Sequence, residues 1–365
     1  MPVKNHIALP PGSVVGIFGG GQLGRMMAVA AAQMGYHTHI YADEAAGPAI
    51  EVSHCHTIAS YSDEECLKNF AQEVDVATYE FENIPVNSLR EVQKLVPVYP
   101  KPEILEIAQD RVAEKDFCNE LGIPTAPYWR VTDLETLELS LNELGLPGLL
   151  KSTRFGYDGK NQIKVKIGDN LNDAWNRIGG GPGVLEGWMD YEREISIIVV
   201  RTQNGDVQCY DPVENEHKNY VLHRSIVPAR ISSDTEEEAV IAAKNLAVSL
   251  DLVGVLAVEM FVMKDGAIAI NEMAPRPHNS GHWTIEACGS SQFEQLIRCI
   301  CGVPLGTCAR NADAEMQNLL GDEVNDWLLY LGDPAQKLHL YGKGEIRAGR
   351  KMGHVTSLKP LSKEL

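Results

Sequence analysis

The passage from Val14 to Met34 restricts the fold most. A short apolar strand, Val14 to Phe18, runs into Gly19-Gly20-Gly21-Gln22-Leu23-Gly24 and then into an Ala/Met-rich helix, Gln22 to Met34. A strand that passes through a glycine turn into a helix is the opening of a parallel βαβ unit, since parallel strands need a long crossover. Candidate strands at His37 to Tyr41, Val74 to Thr78 and Val96 to Tyr99 continue the alternation. The pattern predicts a parallel sheet covered on both faces. The glycine spacing fits G-x-G-x-x-G, where the backbone can approach a ligand and the helix N-terminus favours an anion. One reading is a dinucleotide site with Asp43 on a ribose. The other is a tight turn that packs strand and helix closely.

Helical patterns from Glu103 to Leu121 stop at Gly122-Ile123-Pro124. Leu149 to Lys151, Gln162 to Val165 and Gly183 to Glu186 read as strands around one helix, Asn170 to Arg177. The run Arg154 to Lys160, with two glycines and several charges, reads as a flap. From Glu194 to Asn271 the strands lengthen and alternate, which predicts an antiparallel sheet. A helix from about Thr235 to Leu250 interrupts them. A small region follows Pro304 and includes the basic segment Lys343 to Lys351.

Composition narrows the function classes. The 365 residues hold 32 Lys and Arg against 50 Asp and Glu, a net charge of −18. That argues against a nucleic-acid binder, which needs a basic footprint. No apolar run reaches the roughly 18 residues of a membrane span, and no signal-peptide core follows Met1. Eight cysteines without a CxxC motif read as reduced thiols of a cytoplasmic protein.

A local argument points to chemistry. Val255 to Val262 alternates as a strand, Lys264-Asp265-Gly266 follows, and Ala267 to Asn271 forms the return. Asp-Gly favours a two-residue hairpin loop. Counting outward from Asp265 and Gly266 sets Glu259 opposite Glu272. Like charges directly opposite are destabilising, so the pair needs a proton, a basic side chain or a metal. Oxygen ligands suit a hard cation such as Mg²⁺, and Asn271 offers another oxygen. Neutralisation by Arg276, or a hairpin that faces water, stands as the alternative. The segment Arg276-Pro277-His278-Asn279-Ser280-Gly281-His282 then concentrates anion-binding side chains in one loop.

These features together resemble the ATP-grasp enzymes. Within them the chain resembles the N5-carboxyaminoimidazole ribonucleotide synthetase family. The carriers are Gly-Gly-Gly-Gln-Leu-Gly-Arg-Met at 19–26, Phe81-Glu82-Asn83-Ile84 and Gly156-Tyr157-Asp158-Gly159-Lys160. Asn271 to Trp283 and Gly349-Arg350-Lys351-Met352-Gly353-His354 complete the set. Their order covers nearly the whole chain, from Val14 to His354. The resemblance implies an α/β protein of three parts. These are an N-terminal Rossmann-like parallel-sheet domain (1–111), a central ATP-grasp domain (112–302, with a mobile flap subdomain at about 125–189) and a small C-terminal domain (303–365). It moves the glycine loop from a nicotinamide dinucleotide to the ribonucleotide substrate.

The resemblance also implies residue roles. Arg111, Lys115 and Lys151 would hold ATP, with flap residues Gly156, Gly159, Lys160 and Gln162 beside it. Glu186, Gly187, Trp188 and Met189 would form the adenine hinge, Glu194 would take the ribose, and His217 and Asn271 would lie near the nucleotide. Glu259 and Glu272 would hold Mg²⁺ or Mn²⁺. Gln22, Leu23, Glu82, Asn279, Lys343 and Arg350 would hold aminoimidazole ribonucleotide. Arg276, His278 and Lys351 would handle bicarbonate and its phosphorylated product, carboxyphosphate, with Tyr157 and Asp158 near the intermediate. The implied reaction is the ATP- and bicarbonate-dependent N-carboxylation of the ribonucleotide in purine biosynthesis, in a cytoplasmic homodimer. Two flap positions that usually carry glycine hold Phe155 and Asn161, which predicts a stiffer flap. The nearest rival is the formate-dependent glycinamide ribonucleotide formyltransferase, which shares the fold; Tyr157-Asp158 favours carboxylation. A biotin carboxylase-like subunit, a non-catalytic nucleotide binder and a dehydrogenase are more distant.

Overall fold

The computed structural model describes residues 8–145, 147–154, 156 and 161–362. Four strands, β1 (Val14–Phe18), β2 (His37–Ala42), β3 (Cys55–Ile58) and β4 (Val76–Tyr79), form a parallel sheet in the order β3-β2-β1-β4. The Gln22–Gln33 helix covers one face. Its Met27, Ala30 and Ala31 pack with Val15 and Ile17. Alanine combines high helix propensity with a low profile, so helix and sheet approach closely. The other face carries an aromatic cluster of Phe18, Tyr41, Phe70 and Tyr79. Val96 to Tyr99 does not form the expected strand. Among the described residues only Val98 bridges to Ala77, because Pro97 lies inside the segment and Pro100 follows it, and neither has an amide to donate.

A second, antiparallel sheet contains β5 (Tyr128–Val131), β6 (Gly148–Ser152), β7 (Gln162–Val165) and β8 (Gly183–Gly187), in the order β5-β8-β6-β7. Helices Leu134–Leu144 and Leu171–Arg177 pack with it around Val131, Leu137, Leu150 and Leu185.

The third sheet is the largest. It contains β9 (Tyr191–Arg201), β10 (Val207–Cys209), β11 (Val213–Lys218), β12 (Val221–Val227), β13 (Gly254–Met263), β14 (Ile268–Ala274), β15 (Asp313–Leu320), β16 (Gln336–Leu340) and β17 (Lys351–Lys359). Its order is β14-β13-β9-β11-β12-β15-β17-β16, with β10 also on β9. Strand β9 is buried on both faces. Ile195, Ile197 and Val199 pack with the Ser233–Ser249 helix, and Ile198 and Val200 with the Gln292–Ile300 helix. The region after Pro304 therefore extends the central sheet edge-on: β15 pairs with β12, and β17 with β15.

The β13–β14 hairpin differs from its expected form in two ways that offset each other. Its loop is three residues, Lys264 to Gly266. The Met263 amide donates to the Ala267 carbonyl at 2.8 Å, and Gly266 takes φ +88°. The register then shifts by one residue at Asn271, between the Met260–Ile270 and Glu259–Glu272 pairs. The bulge restores the alignment that a two-residue loop would have given, and Glu259 meets Glu272.

Candidate active site

Asp110 caps the Arg111–Glu120 helix, with its carboxylate accepting from the Val112 and Ala113 amides at 3.0 and 3.2 Å. This cap divides the expected Glu103 to Leu121 helix in two, the first part being Pro102–Ala108. The capped helix aims Arg111, Glu114 and Lys115 at the sheets. Lys115 Nζ lies 3.1 Å from Glu186 Oε1, and Lys151 Nζ lies 2.7 Å from Glu186 Oε2. All three are buried. Burial alone would raise the Glu186 pKa, but Lys151 and Lys115 outweigh it and hold the carboxyl down at about 2. Burial also lowers the pKa of Lys151. The Lys115 ammonium has no well-aligned hydrogen bond, so its donors can serve an anion.

Arg111 bridges toward the second carboxylate centre. Its guanidinium lies 3.4 Å from Glu272 and donates to the Gly156 carbonyl at 2.9 Å. Glu259 lies 3.6 Å from His278 Nε2. Burial, then the Glu272 charge, push the Glu259 pKa well up. The buried Glu114 behaves likewise. Burial and Glu272 push it up to about 8, although its carboxylate accepts from the Met273 amide. Glu114 carries no sequence motif. Its position three residues after Arg111, on the same helical face, was the only available signal. Asn271 is the bulge residue beside Glu272. Among the described residues no three His, Cys, Asp or Glu side chains are arranged as a metal cage. A two-carboxylate site that shares its ion with phosphate oxygens fits Mg²⁺.

The loop after β14 faces this pair. Arg276 is ion-paired with Glu82 and donates to the Pro277 carbonyl, and its buried Nε has no hydrogen-bond partner among the described residues. Asn279 exchanges two side-chain hydrogen bonds with Asn318 at 2.9 and 2.6 Å. Glu194 holds His217 at 3.0 Å. Burial opposes protonation of His217, but Glu194 outweighs it and raises the pKa. His217 and Lys351 both act on Glu259 through their charges, which ties the Glu194–His217 pair to the C-terminal strand. Lys343 donates to the Lys351 carbonyl at 2.8 Å. Arg350 donates to the Glu345 carbonyl within its own loop.

Other expected residues sit less centrally. Gln162 pairs with Lys151 across β6 and β7. Trp188 is 53% exposed, with Lys164 Nζ 3.7 Å from its ring centroid. The Gly187 and Trp188 amides already donate to the Pro127 and Pro147 carbonyls. Tyr157, Asp158, Gly159 and Lys160, together with Phe155, lie outside the described residues. Asn161 takes φ +54°, a left-handed conformation that asparagine tolerates better than most residues. At that position the backbone keeps the shape glycine would give it.

The glycine loop corrects its own first reading. Gly21 and Gly24 donate their amides to the buried Glu80 carboxylate, the latter at 2.7 Å. The helix N-terminus thus already holds a negative charge from the chain, which leaves no room for a pyrophosphate at those amides. Gln22 and the buried Leu23 lie within the same turn. Glu80 was missed in the sequence. The available signal was its place just beyond β4, which neighbours β1 and so ends beside the glycine turn.

The grasp-like pair of antiparallel sheets, the lysine–glutamate centre and the facing carboxylates define an ATP-grasp enzyme. The chain matches the ATP-grasp domain over residues 116–293, the ribonucleotide synthetase preATP-grasp domain over 13–109 and the phosphoribosylaminoimidazole carboxylase C-terminal domain over 314–365. It is 49% identical to the N5-carboxyaminoimidazole ribonucleotide synthase of Brucella melitensis, over 97% of this chain and 98% of that one. A solved N5-carboxyaminoimidazole ribonucleotide synthetase with ADP superposes with a TM-score of 0.93 at 42% identity, over 97% and 94% of the two chains. The Aspergillus clavatus enzyme in complex with ADP and 5-aminoimidazole ribonucleotide superposes at 0.88 with 30% identity, over 96% and 94%. The chain belongs to the N5-carboxyaminoimidazole ribonucleotide synthase family.

Proposed function

We infer that this chain catalyses the ATP- and bicarbonate-dependent N-carboxylation of 5-aminoimidazole ribonucleotide, a carbon–nitrogen ligation of purine biosynthesis that releases ADP and phosphate. One observation carries the residue-level reading. The facing Glu259 and Glu272 are linked on one side to His278 at 3.6 Å and on the other to Arg111 at 3.4 Å, on the helix that also carries Lys115. A phosphoryl donor on one side and an oxyanion acceptor on the other meet at a cation site.

In the first step a bicarbonate oxygen attacks the γ-phosphorus of ATP, giving ADP and carboxyphosphate. The exocyclic amine of the ribonucleotide then attacks the carboxyl carbon, or CO₂ released from it, and phosphate leaves. Positioning and charge neutralisation dominate phosphoryl transfer. Lys115 and Lys151 offset the charge of the nucleotide phosphates. Glu186 holds both lysines in place, while the buried Lys115 ammonium keeps donors uncommitted among the described residues. Glu259 and Glu272, joined by Asn271, would hold Mg²⁺ or Mn²⁺, which when bound supplies neutralisation of the phosphate oxygens. Arg276 orients bicarbonate through its partnerless Nε, with His278 and Lys351 beside it. Gln22, Leu23, Glu82, Asn279, Lys343 and Arg350 hold the ribonucleotide. Arg111, Glu194, His217 and the 186–189 hinge hold ATP. By the family resemblance, Gly156, Gly159, Lys160 and Gln162 would serve ATP, and Tyr157 and Asp158 would act near the intermediate. The domains divide at 111/112 and 302/303, with the flap subdomain at about 125–189. The enzyme works as a cytoplasmic homodimer; among the described residues no helix is long and apolar enough to cross a membrane.

The test is ADP release with ATP and Mg²⁺. Aminoimidazole ribonucleotide plus bicarbonate should stimulate it, and glycinamide ribonucleotide plus formate should not. Stimulation by the second pair alone would overturn the substrate assignment.

A further inference from the structure

Behind the Arg276–His278 loop runs a buried chain of polar side chains that no step above uses. Ser225 Oγ donates to Asn215 Oδ1 at 2.9 Å, and Asn215 Nδ2 donates to Ser196 Oγ at 3.0 Å. Ser196 Oγ donates to Ser280 Oγ at 2.7 Å, and Ser280 Oγ lies 2.8 Å from His278 Nδ1. Ser196, Ser225 and Ser280 are completely buried, and Asn215 nearly so. The members come from β9, β11 and β12, where Asn215 faces Ser225 across the ladder, and from the loop after β14. Four neutral side chains lined up on one imidazole nitrogen are more than the burial of single hydroxyls requires.

We propose that this chain locks His278 as the tautomer with its proton on Nε2, so that His278 serves the reacting anion as a hydrogen-bond donor, with Ser280 and Ser196 as positioning residues. The proposal rests on the reading that this loop holds bicarbonate and carboxyphosphate. Each hydroxyl has one proton to give. Ser225 gives its proton to Asn215, and the Asn215 amide fills an acceptor site on Ser196. Ser196 gives its proton to Ser280, so the Ser280 proton goes to His278 Nδ1. A backbone group agrees independently. The Ser280 amide points at the same Nδ1 from 3.4 Å, and an N–H can only donate. The opposite tautomer would leave the Ser280 proton without an acceptor in this chain, unless the Asn215 amide were flipped and every proton reversed. It would also set the Nδ1 proton against the Ser280 amide. The Nε2 proton instead faces Glu259 Oε1 at 3.6 Å, on the side where the anion and the carboxylate pair meet. A lone pair at Nε2 would repel an oxyanion there, whereas a proton attracts it.

The first experiment is ¹⁵N NMR of the imidazoles in the full-length enzyme, with His278 assigned by comparison with His278→Asn. The expected spectrum shows an acceptor-type Nδ1 and a proton-bearing Nε2. A proton-bearing Nδ1 overturns the proposal whatever the substrate is. The second is kinetic. Ser280→Ala should raise KM for bicarbonate about tenfold, the worth of one hydrogen bond to an anion, with KM for ATP unchanged. Ser280→Thr, which keeps the hydroxyl, should restore most of the loss. Ser196→Ala, one link further back, should give a smaller rise in the same constant and provides the test if Ser280→Ala does not fold. Equal KM for bicarbonate in both alanine variants, or a matching change in the ATP constant, overturns the positioning role. The expected tautomer in an enzyme without bicarbonate-dependent ADP release would overturn the functional reading alone.

Discussion

Glu186 and Glu259 stand on neighbouring sheets of the same site, and both side chains are largely out of water, at 5% and 14% exposure. Their acidities nevertheless move in opposite directions. Glu186 sits between two buried lysines and stays ionised down to a pKa of about 2. Glu259 faces another glutamate and a histidine, and its pKa climbs. Burial opposes ionisation in both, so the neighbours decide the outcome. The first centre is balanced by the chain itself and can carry structural load. The second stores like-charge repulsion that a divalent cation would relieve.

The largest expected effects come from neutralising each carboxylate in turn. Glu186→Gln leaves Lys115 and Lys151 buried without a counter-charge, so it should cost about 3–5 kcal/mol of unfolding free energy. Glu259→Gln removes repulsion. It should leave stability equal or higher at pH 8 while ADP formation falls by about two orders of magnitude or more, because on the proposed reading the pair would hold the cation that neutralises charge in the transition state. Urea denaturation of both variants beside their turnover checks the contrast. Similar stability losses in the two would break the comparison.

A pH series sharpens it at a smaller scale. Glu186 has a folded pKa below the ordinary value of about 4.3. Its contribution is present above that value and fades as pH falls toward about 2. Glu114 is the opposite case. Its folded pKa is raised to about 8, so its contribution is full below about 4.3 and is lost as pH rises through 8. The acid limb should be on the order of 3 kcal/mol and the alkaline limb on the order of 5 kcal/mol. In chelator-treated protein, Glu114→Gln should flatten the decline between pH 5 and 8 and leave the acid limb unchanged. A wild-type-like alkaline decline in this variant would remove Glu114 as its source.

These centres were only partly legible in the sequence. The Glu259–Glu272 pairing follows from the Asp-Gly signal, yet the path to it differs. The loop has three residues, and the Asn271 bulge compensates. Bulges depend on how the strand must twist against its neighbours, here β9 beside β13, and local sequence does not encode that. The parallel sheet was legible because strand, glycine turn and helix are all local signals. Val96 to Tyr99 misleads because its apolar pattern holds Pro97 and runs into Pro100, neither of which can donate. The pairing of Arg276 with Glu82, and the Lys115–Glu186–Lys151 bridge, join segments far apart in the chain, and no spacing rule reaches across them. The final strands read as a separate region because only the fold shows that β15 docks on β12.

Glu80 is the third way to bury a glutamate, and it makes the comparison finer. Burial raises its pKa, but the Gly24 and Gly21 amides work against the rise. Backbone dipoles here do what the lysines do for Glu186. The arrangement depends on the absence of a side chain at Gly21, where an added Cβ would lie 2.6 Å from Glu80 Oε1 and 2.9 Å from Oε2. Gly21 has φ −83°, so alanine there suffers no backbone strain, only this contact. Gly21→Ala should therefore push the carboxylate off its amides and cost about 1–3 kcal/mol, the penalty of a buried polar group left unpaired. Because Gln22 and Leu23 lie in the same turn, KM for the ribonucleotide should rise while KM for ATP does not. Gly181→Ala is the control, since a methyl there meets nothing within 4 Å. If both variants unfold at the same urea concentration, the amides of the glycine turn do not hold Glu80 in solution. Burial alone would then set its acidity, as it largely does for Glu259.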